Sequence, residues 1–258
     1  MTAIADFQAA TPPAPAANPY ALDLPRALRA LKRLIADKED TRQVFEIMQA
    51  LNGGSTVKGY GKLLNTPEGG RMAYQRAEIA ALLSNTAWLK TLPANSVGAA
   101  YLHFMTSENI SAQGLIDESR KANGLDIDVE HPYAWYGRRL RDIHDVWHVL
   151  TGYGRDALGE GCVVAFSYAQ TKSSGFALIA LAAAHQIKRG LPNERVWAAV
   201  WQAYRNGAKA AWLPGEDYEK LLAEPLEAAR KRLNIPRPHA YLAIDQSLRA
   251  DAMAPMAA

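Results

Sequence analysis

His144-Asp145-Val146-Trp147-His148-Val149-Leu150-Thr151, then Gly152-Tyr153-Gly154-Arg155-Asp156, then Ala157-Leu158-Gly159-Glu160, reads as the end of one helix, a glycine-broken turn and the start of the next. On a helix, positions 144 and 148 stack one turn apart on the same face, and position 145 lies about 100° round from 144, on the neighbouring edge of 148. Two imidazoles and a carboxylate then form a fan of donors. Gly152 and Gly154 are residues that commonly end a helix, so Glu160, separated from His148 by eleven intervening residues, belongs to the next element and can return to the same spot. Gly159 and Gly161 flank it, permitting close approach of a neighbouring helix and leaving room for a ligand.

The donor set constrains the ion. Imidazole with carboxylate suits zinc first, with iron or manganese as alternatives, and the absence of thiolate argues against a closed structural zinc site. Magnesium fits where waters complete an octahedron, although it seldom takes histidine. A mixed nitrogen and oxygen site with open positions is usually catalytic. The plainer reading of the same residues makes His144 and His148 ordinary helix positions, with Asp145 paired to Arg141 across one turn.

Outward from this stretch the pattern stays helical. Pro132 suits the first turn of the motif helix, which should run to about Thr151. Three further helices are expected downstream: about 155–171, bearing Glu160; about 174–189, with the apolar run Phe176 to Ala184 placed centrally; and from Pro192 or Asn193 to about Ala210. Towards the N-terminus, Leu24, Leu28, Leu31 and Leu34 form an apolar stripe, and Asp40 or Thr41 can cap a helix with Val44, Phe45, Met48 and Leu51 inward. Residues 52–70 read as a glycine-rich connection. Helices follow at about 71–84, from Asn95 or Ser96 through Leu102, Phe104 and Met105, and at about 111–122. No run alternates as a half-buried strand does, and no repeat recurs. The expected fold is all-α: a single-domain multi-helix bundle over 21–240, a disordered Ala/Pro-rich N-terminal tail over 1–20, and a C-terminal tail over 241–258.

Composition is consistent with this. A chain of 258 residues that is 49% hydrophobic can bury a substantial core as one domain. Its formal net charge of +3 is too small to argue for nucleic acid, and no basic run interleaved with aromatics marks a binding groove. Cys162 is the sole cysteine, which rules out an intrachain disulfide and suits a small core residue in a reducing compartment. The tail, with Pro12-Pro13-Ala14-Pro15, lacks the basic start and apolar core of a secretory signal and the arginines of a mitochondrial presequence. No stretch reaches the ~18 to 20 apolar residues that span a bilayer. A cytoplasmic bacterial protein is the expectation.

The spacing HDxxH, eleven residues, then Glu, present as HDVWH-VLTGYGRDALG-E, resembles the hallmark of the coenzyme Q (ubiquinone) biosynthesis protein 4 family. The likeness extends through Arg138-Arg139-Leu140-Arg141-Asp142, through Gly207-Ala-Lys-Ala-Ala-Trp212 and through Glu224 to Ile235, covering roughly residues 95–238. It implies an all-helical, membrane-associated protein of quinone biosynthesis that binds a divalent metal through His144, Asp145, His148 and Glu160. It also implies action at C1 of a prenylated 4-hydroxybenzoate-derived ring, where carboxylate is lost and oxygen enters. Other ubiquinone-biosynthesis enzymes and membrane lipid are then the expected partners, at the inner face of the bacterial cell membrane. A homodimer is expected as well.

Several side chains are candidates for holding such a ring. Tyr136 and Trp147 belong to the motif helix and could line an apolar cleft beside the ion, although any single aromatic is as readily core. Arg138 and Arg141 could take a carboxylate or phosphate in a bidentate way, whereas Arg139 reads as a solvated face or an acid pair. Trp197, Trp201, Tyr204 and Trp212, with Arg195, Arg205 and Lys209, suit a lipid interface, a dimer interface or core packing. The alternative to an enzyme of this kind is a non-catalytic lipid-binding organiser of a quinone-biosynthesis complex. A metallohydrolase, by analogy with HExxH enzymes, is a third class; here the internal acid is the shorter aspartate.

Overall fold

A computed structural model of the chain describes residues 21–37, 40–107 and 131–251. The expected tail over 1–20 and the helix at 111–122 lie outside the described residues. All the regular elements described are helical, and an isolated bridge pairs Ser96 with Pro225. Among the described residues no helix is long and apolar enough to cross a membrane.

Helix α1 (Leu24–Ala36) starts at Asp23, whose side chain accepts the Arg26 N–H, with a proline in its first turn. Of the leucine stripe it turns only Leu31 and Leu34 inward, each half-buried against the core. Leu24 and Leu28 are exposed, while Ala27 and Ala30 pack against Ile47 of α2 (Thr41–Ala50), because small side chains let two helices approach closely. Residues expected as a connection carry α3 (Ser55–Leu64). Its Gly59 lies under the Tyr136 ring, where a Cβ would come within 2.6 Å of the hydroxyl. The expected helix at 71–84 is two, α4 (Gly69–Gln75) and α5 (Ile79–Ser84), separated by the left-handed Arg76 (φ 46°). After the short α6 (Thr86–Leu89), Ser96 accepts the Ala99 N–H and opens α7 (Val97–Ser107).

The motif helix is also split. α8 (Pro132–Asp142) packs on α3 and α5, whereas α9 (His144–Thr151) packs on α7, and the axis breaks at Ile143 (ψ −9°) between the two sets of neighbours. Gly152 (φ 77°) ends α9 in the left-handed region. Asp156 then caps α10 (Ala157–Thr171), its side chain accepting the Gly159 N–H at 3.0 Å. α10 packs against α11 (Ser174–Gly190) and α12 (Val196–Lys209), and the backbones of α10 and α12 approach so closely that a Cβ on Gly207 would meet the Phe166 carbonyl at 2.7 Å. α11 is less central than its composition suggests: Leu181 is 57% exposed, and only Gly175, Ala180, Ala184 and Ile187 are buried on this helix.

A 3-10 turn (Leu213–Gly215) leads to α13 (Tyr218–Ala223), α14 (Leu226–Arg232), α15 (His239–Leu242) and α16 (Gln246–Asp251). One core joins α7 and α9 to α13 and α14; a second joins α10, α11 and α12 to α15. The boundary expected at residue 240 needs correction, since Tyr241 and Ile244 are each only 2% exposed and belong to that second core. The cause is an aromatic-and-arginine clamp that no local periodicity announces: Arg249 lies 4.0 Å from the centroid of the Tyr241 ring.

Candidate metal centre

The site is built on the junction of α9 and α10. His144 and His148 stand one turn apart with their ring planes crossed at 82° and centroids 5.0 Å apart. His144, Asp145 and His148 each offer a ligand atom, all within 4.8 Å of one another. Across the turn, Glu160 Oε2 lies 3.4 Å from His148 Nε2 and 3.7 Å from His144 Nε2. Four ligands at about 2.1 Å from a tetrahedral ion stand roughly 3.4 Å apart. The two imidazoles and Glu160 therefore already have close to the spacing that a dication requires.

His148 is held more tightly than the rest. Its ring stacks on Phe104 of α7, with centroids 5.5 Å apart. Its Nδ1 lies 3.0 Å from the Tyr153 carbonyl, an acceptor only, so the network assigns the proton to Nδ1 and leaves the Nε2 lone pair facing Glu160. That Nε2 is buried and has no hydrogen-bond partner of acceptable geometry. An orphaned buried nitrogen beside a carboxylate fits a cation between them. His144 and Glu160 are 28% and 37% exposed on their side chains, so the centre opens to solvent on that side.

Electrostatics point the same way. Burial opposes ionisation of Glu160, but the close approach and charge of the His144 and His148 rings outweigh it and hold the carboxyl well below its usual range. Burial also works against protonation of His148, and there the nearby Glu160 carboxylate, helped by Asp145, outweighs it and raises its pKa. Burial raises the Asp145 carboxyl despite the opposing pull of both histidines. A dication held between these rings and carboxylates would displace any proton shared among them.

The proposed substrate-binding side chains are not gathered here. Trp147 is core, donating from Nε1 to the Tyr218 hydroxyl at 2.7 Å and meeting Phe166 edge-on. Tyr136 is buried against Gly59 and lines a different cavity. Arg138 grips Glu78 at 2.7 Å, and Arg141 pairs with Asp142 at 2.7 Å. Arg139 is no solvated face: it is 4% exposed and donates to the carbonyls of Pro214 and Glu216. The residues that do surround the centre include Phe104 and Arg155, the latter 3.5 Å from Glu160 and 39% exposed on its side chain. The turn itself is tied from afar, with the Tyr241 hydroxyl accepting the Gly154 N–H at 3.0 Å and donating to Asp156. Arg155 is visible in the sequence inside the turn, but nothing in its spacing says that it faces Glu160.

Comparison with known proteins identifies a family for the chain. The sequence model of coenzyme Q (ubiquinone) biosynthesis protein Coq4 matches residues 34–239. A ubiquinone biosynthesis protein of Bos taurus is 30% identical over 172 residues, 67% of this chain and 62% of that protein. One from Podospora anserina is 28% identical over 180 residues, 68% of this chain and 56% of that protein. The match thus spans less than two thirds of these relatives' length. A crystallised Nostoc punctiforme protein assigned to ubiquinone biosynthesis shares the fold, with a TM-score of 0.63 at 20% identity over 83% of this chain and 99% of that one. The expected cytoplasmic location at a bacterial cell membrane is overturned, because the matched curated relatives are named as mitochondrial proteins. That expectation rested on reading no targeting signal in residues 1–20, and such a reading does not identify a compartment. With the family's sequence model matched from residue 34 to residue 239, this chain belongs to the coenzyme Q (ubiquinone) biosynthesis protein Coq4 family.

Proposed function

We propose that the chain holds a divalent cation, zinc first and iron, manganese or magnesium as alternatives, on His144, Asp145, His148 and Glu160. There it removes the carboxylate from C1 of a prenylated 4-hydroxybenzoate-derived ring and brings oxygen to the same carbon. The observation that carries this reading is the buried, unpartnered Nε2 of His148 beside the Glu160 carboxylate. When bound, the ion would supply a Lewis acid able to polarise the bond from C1 to the carboxylate.

The chain's own residues do the rest. The Tyr153 carbonyl keeps the proton on His148 Nδ1 and so keeps Nε2 available. Phe104 covers the ring face and keeps water off it. Arg155, on the open side, is placed to receive a ring carboxylate through paired N–H donors, taking over the role first assigned to Arg138 and Arg141. Family membership supports a quinone-pathway substrate and neighbouring enzymes of that pathway as partners.

Purified protein supplied with a prenylated hydroxybenzoate, ¹⁸O-labelled dioxygen and a two-electron reductant should release carbon dioxide and gain one labelled oxygen on the ring, the other oxygen atom leaving as water. His148→Ala and Glu160→Ala should lose both metal and turnover while keeping their helical circular dichroism. Full metal content in either variant would refute the ligand assignment. A second reading, a lipid-binding organiser, is favoured by a ladder on α10 and α12: Trp201, 60% exposed, stacks on Tyr204, which stacks on Tyr168. Lipid that co-purifies, with no turnover by metal-replete protein, would select that reading.

A further inference from the structure

A cavity of about 660 Å³ is lined by none of the metal-centre residues. It sits where α3, the end of α10 and the start of α11 meet, and Lys58, Lys62 and Lys172 all line it. No aspartate or glutamate does. Nor does any of these three ammonium groups have a carboxylate partner among the described residues. Gathering like charges around a concavity is unfavourable unless an anion enters it. Burial and the neighbouring charge of Lys172 already lower the pKa of Lys62, whose ammonium rests 4.3 Å from the centroid of the Trp212 ring.

Two further features have the same sign. Lys172 ends α10 in the left-handed region (φ 58°, ψ 22°), a position where glycine is usual, so a lysine is kept there against its own backbone preference. α11 opens with no side chain hydrogen-bonded to its first turn, and its Ser174 is part of the cavity wall. The positive end of a seventeen-residue helix is thus added to three cations. Ser174 supplies a hydroxyl donor, whereas the Ser55 and Thr171 hydroxyls already donate to Asn52 Oδ1 at 2.9 Å and to the Ser167 carbonyl at 2.8 Å.

We propose that this cavity binds a phosphate group, held by Lys58, Lys62 and Lys172 at the N-terminus of α11 and hydrogen-bonded by the Ser174 hydroxyl. The group belongs either to a free phosphorylated molecule or to a phospholipid headgroup, and the chemistry of recognition is common to both. The site is separate from the metal centre and does not depend on the reaction assigned there.

The test uses the full chain with metal removed by chelation, so that no bound ion can report phosphate. Titration calorimetry with inorganic phosphate, at ionic strength held constant with chloride, reads the free form. Co-sedimentation with phosphatidylcholine vesicles, with and without phosphatidic acid, reads the headgroup. Saturable binding in either arm, weakened about tenfold or more in the Lys62→Gln/Lys172→Gln double variant, supports the site and says which source it serves. Both lysines are exposed, so the variant folds. Lys172→Gly should raise Tm in phosphate-free buffer, by relieving both backbone and charge strain, while weakening binding. Phosphate that binds no better than chloride, together with vesicles that bind no better with phosphatidic acid, overturns the proposal. So does a double variant with parental affinity.

Discussion

The Tyr153 carbonyl decides which nitrogen of His148 faces the centre, and it does so from five residues away across the glycine turn. The four donors were legible because a helix turns one face every three to four residues and because Gly152 and Gly154 interrupt it. The side chains around them were not: Phe104 arrives from α7 and Arg155 from the turn, and neither position is set by a repeat. Trp147 and Tyr136 were misplaced for the complementary reason. A large aromatic on a motif helix looks the same in sequence whether it faces a cleft or the core, and here Trp147 satisfies its N–H on Tyr218 inside the protein. Arg155→Met should leave metal content unchanged and raise KM for the ring acid about tenfold or more, as expected for losing a charge-assisted pair. An unchanged KM in steady-state assays would remove Arg155 from substrate binding.

Among elements, the α9–α10 hairpin shows what periodicity can and cannot say. The end of α9 and the whole of α10 were expected at nearly their observed positions, and Asp156 caps the second. The break at Ile143 was hidden because α8 and α9 share one apolar pattern while facing different neighbours. α3 was hidden because Gly59 and Gly61 resemble a loop, although Gly59 is there to admit the Tyr136 ring. α9 is finished by a distant residue: Arg230 donates to the carbonyls of Leu150 and Val149, both at 2.9 Å, and so satisfies the end of the helix. A similar long-range tie holds α13. Asp217 caps it and pairs with Arg71 at 3.0 Å. Burial raises the Asp217 carboxyl, but hydrogen bonds from Lys220 and the charges of Lys220 and Arg71 outweigh this and lower it below 3.8. A depressed carboxyl stabilises the fold above its unfolded value and loses that contribution as pH falls through its folded value. Asp217→Asn should therefore cost up to about 1 kcal/mol at neutral pH. Denaturant melts should show the gap closing below pH 3.8, and a constant gap down to strong acid would contradict the assignment.

At the scale of the whole molecule, all-helical architecture followed from the absence of strand alternation and from recurrent capping residues, whereas the extent of the domain did not. The segment taken for a C-terminal tail is part of the fold: the Tyr241 ring packs edge-on against Tyr153, its hydroxyl bridges Gly154 and Asp156, and Arg249 lies over its face. Removing that hydroxyl leaves two groups short of a partner, which costs about 1–3 kcal/mol. Tyr241→Phe should lower Tm by several degrees, at roughly 2–4 °C per kcal/mol for a chain of this size. It should also weaken zinc retention, since the same turn presents the Tyr153 carbonyl and leads into Glu160. Parental values for both, by calorimetry and by competition with a chelator, would show the clamp to be idle.

Tyr241 stands 85 residues after Asp156 in the chain. During synthesis His144, His148 and Glu160 emerge well before the side chain that steadies the turn between them, so a nascent protein carries this cluster unbraced until the last helices dock.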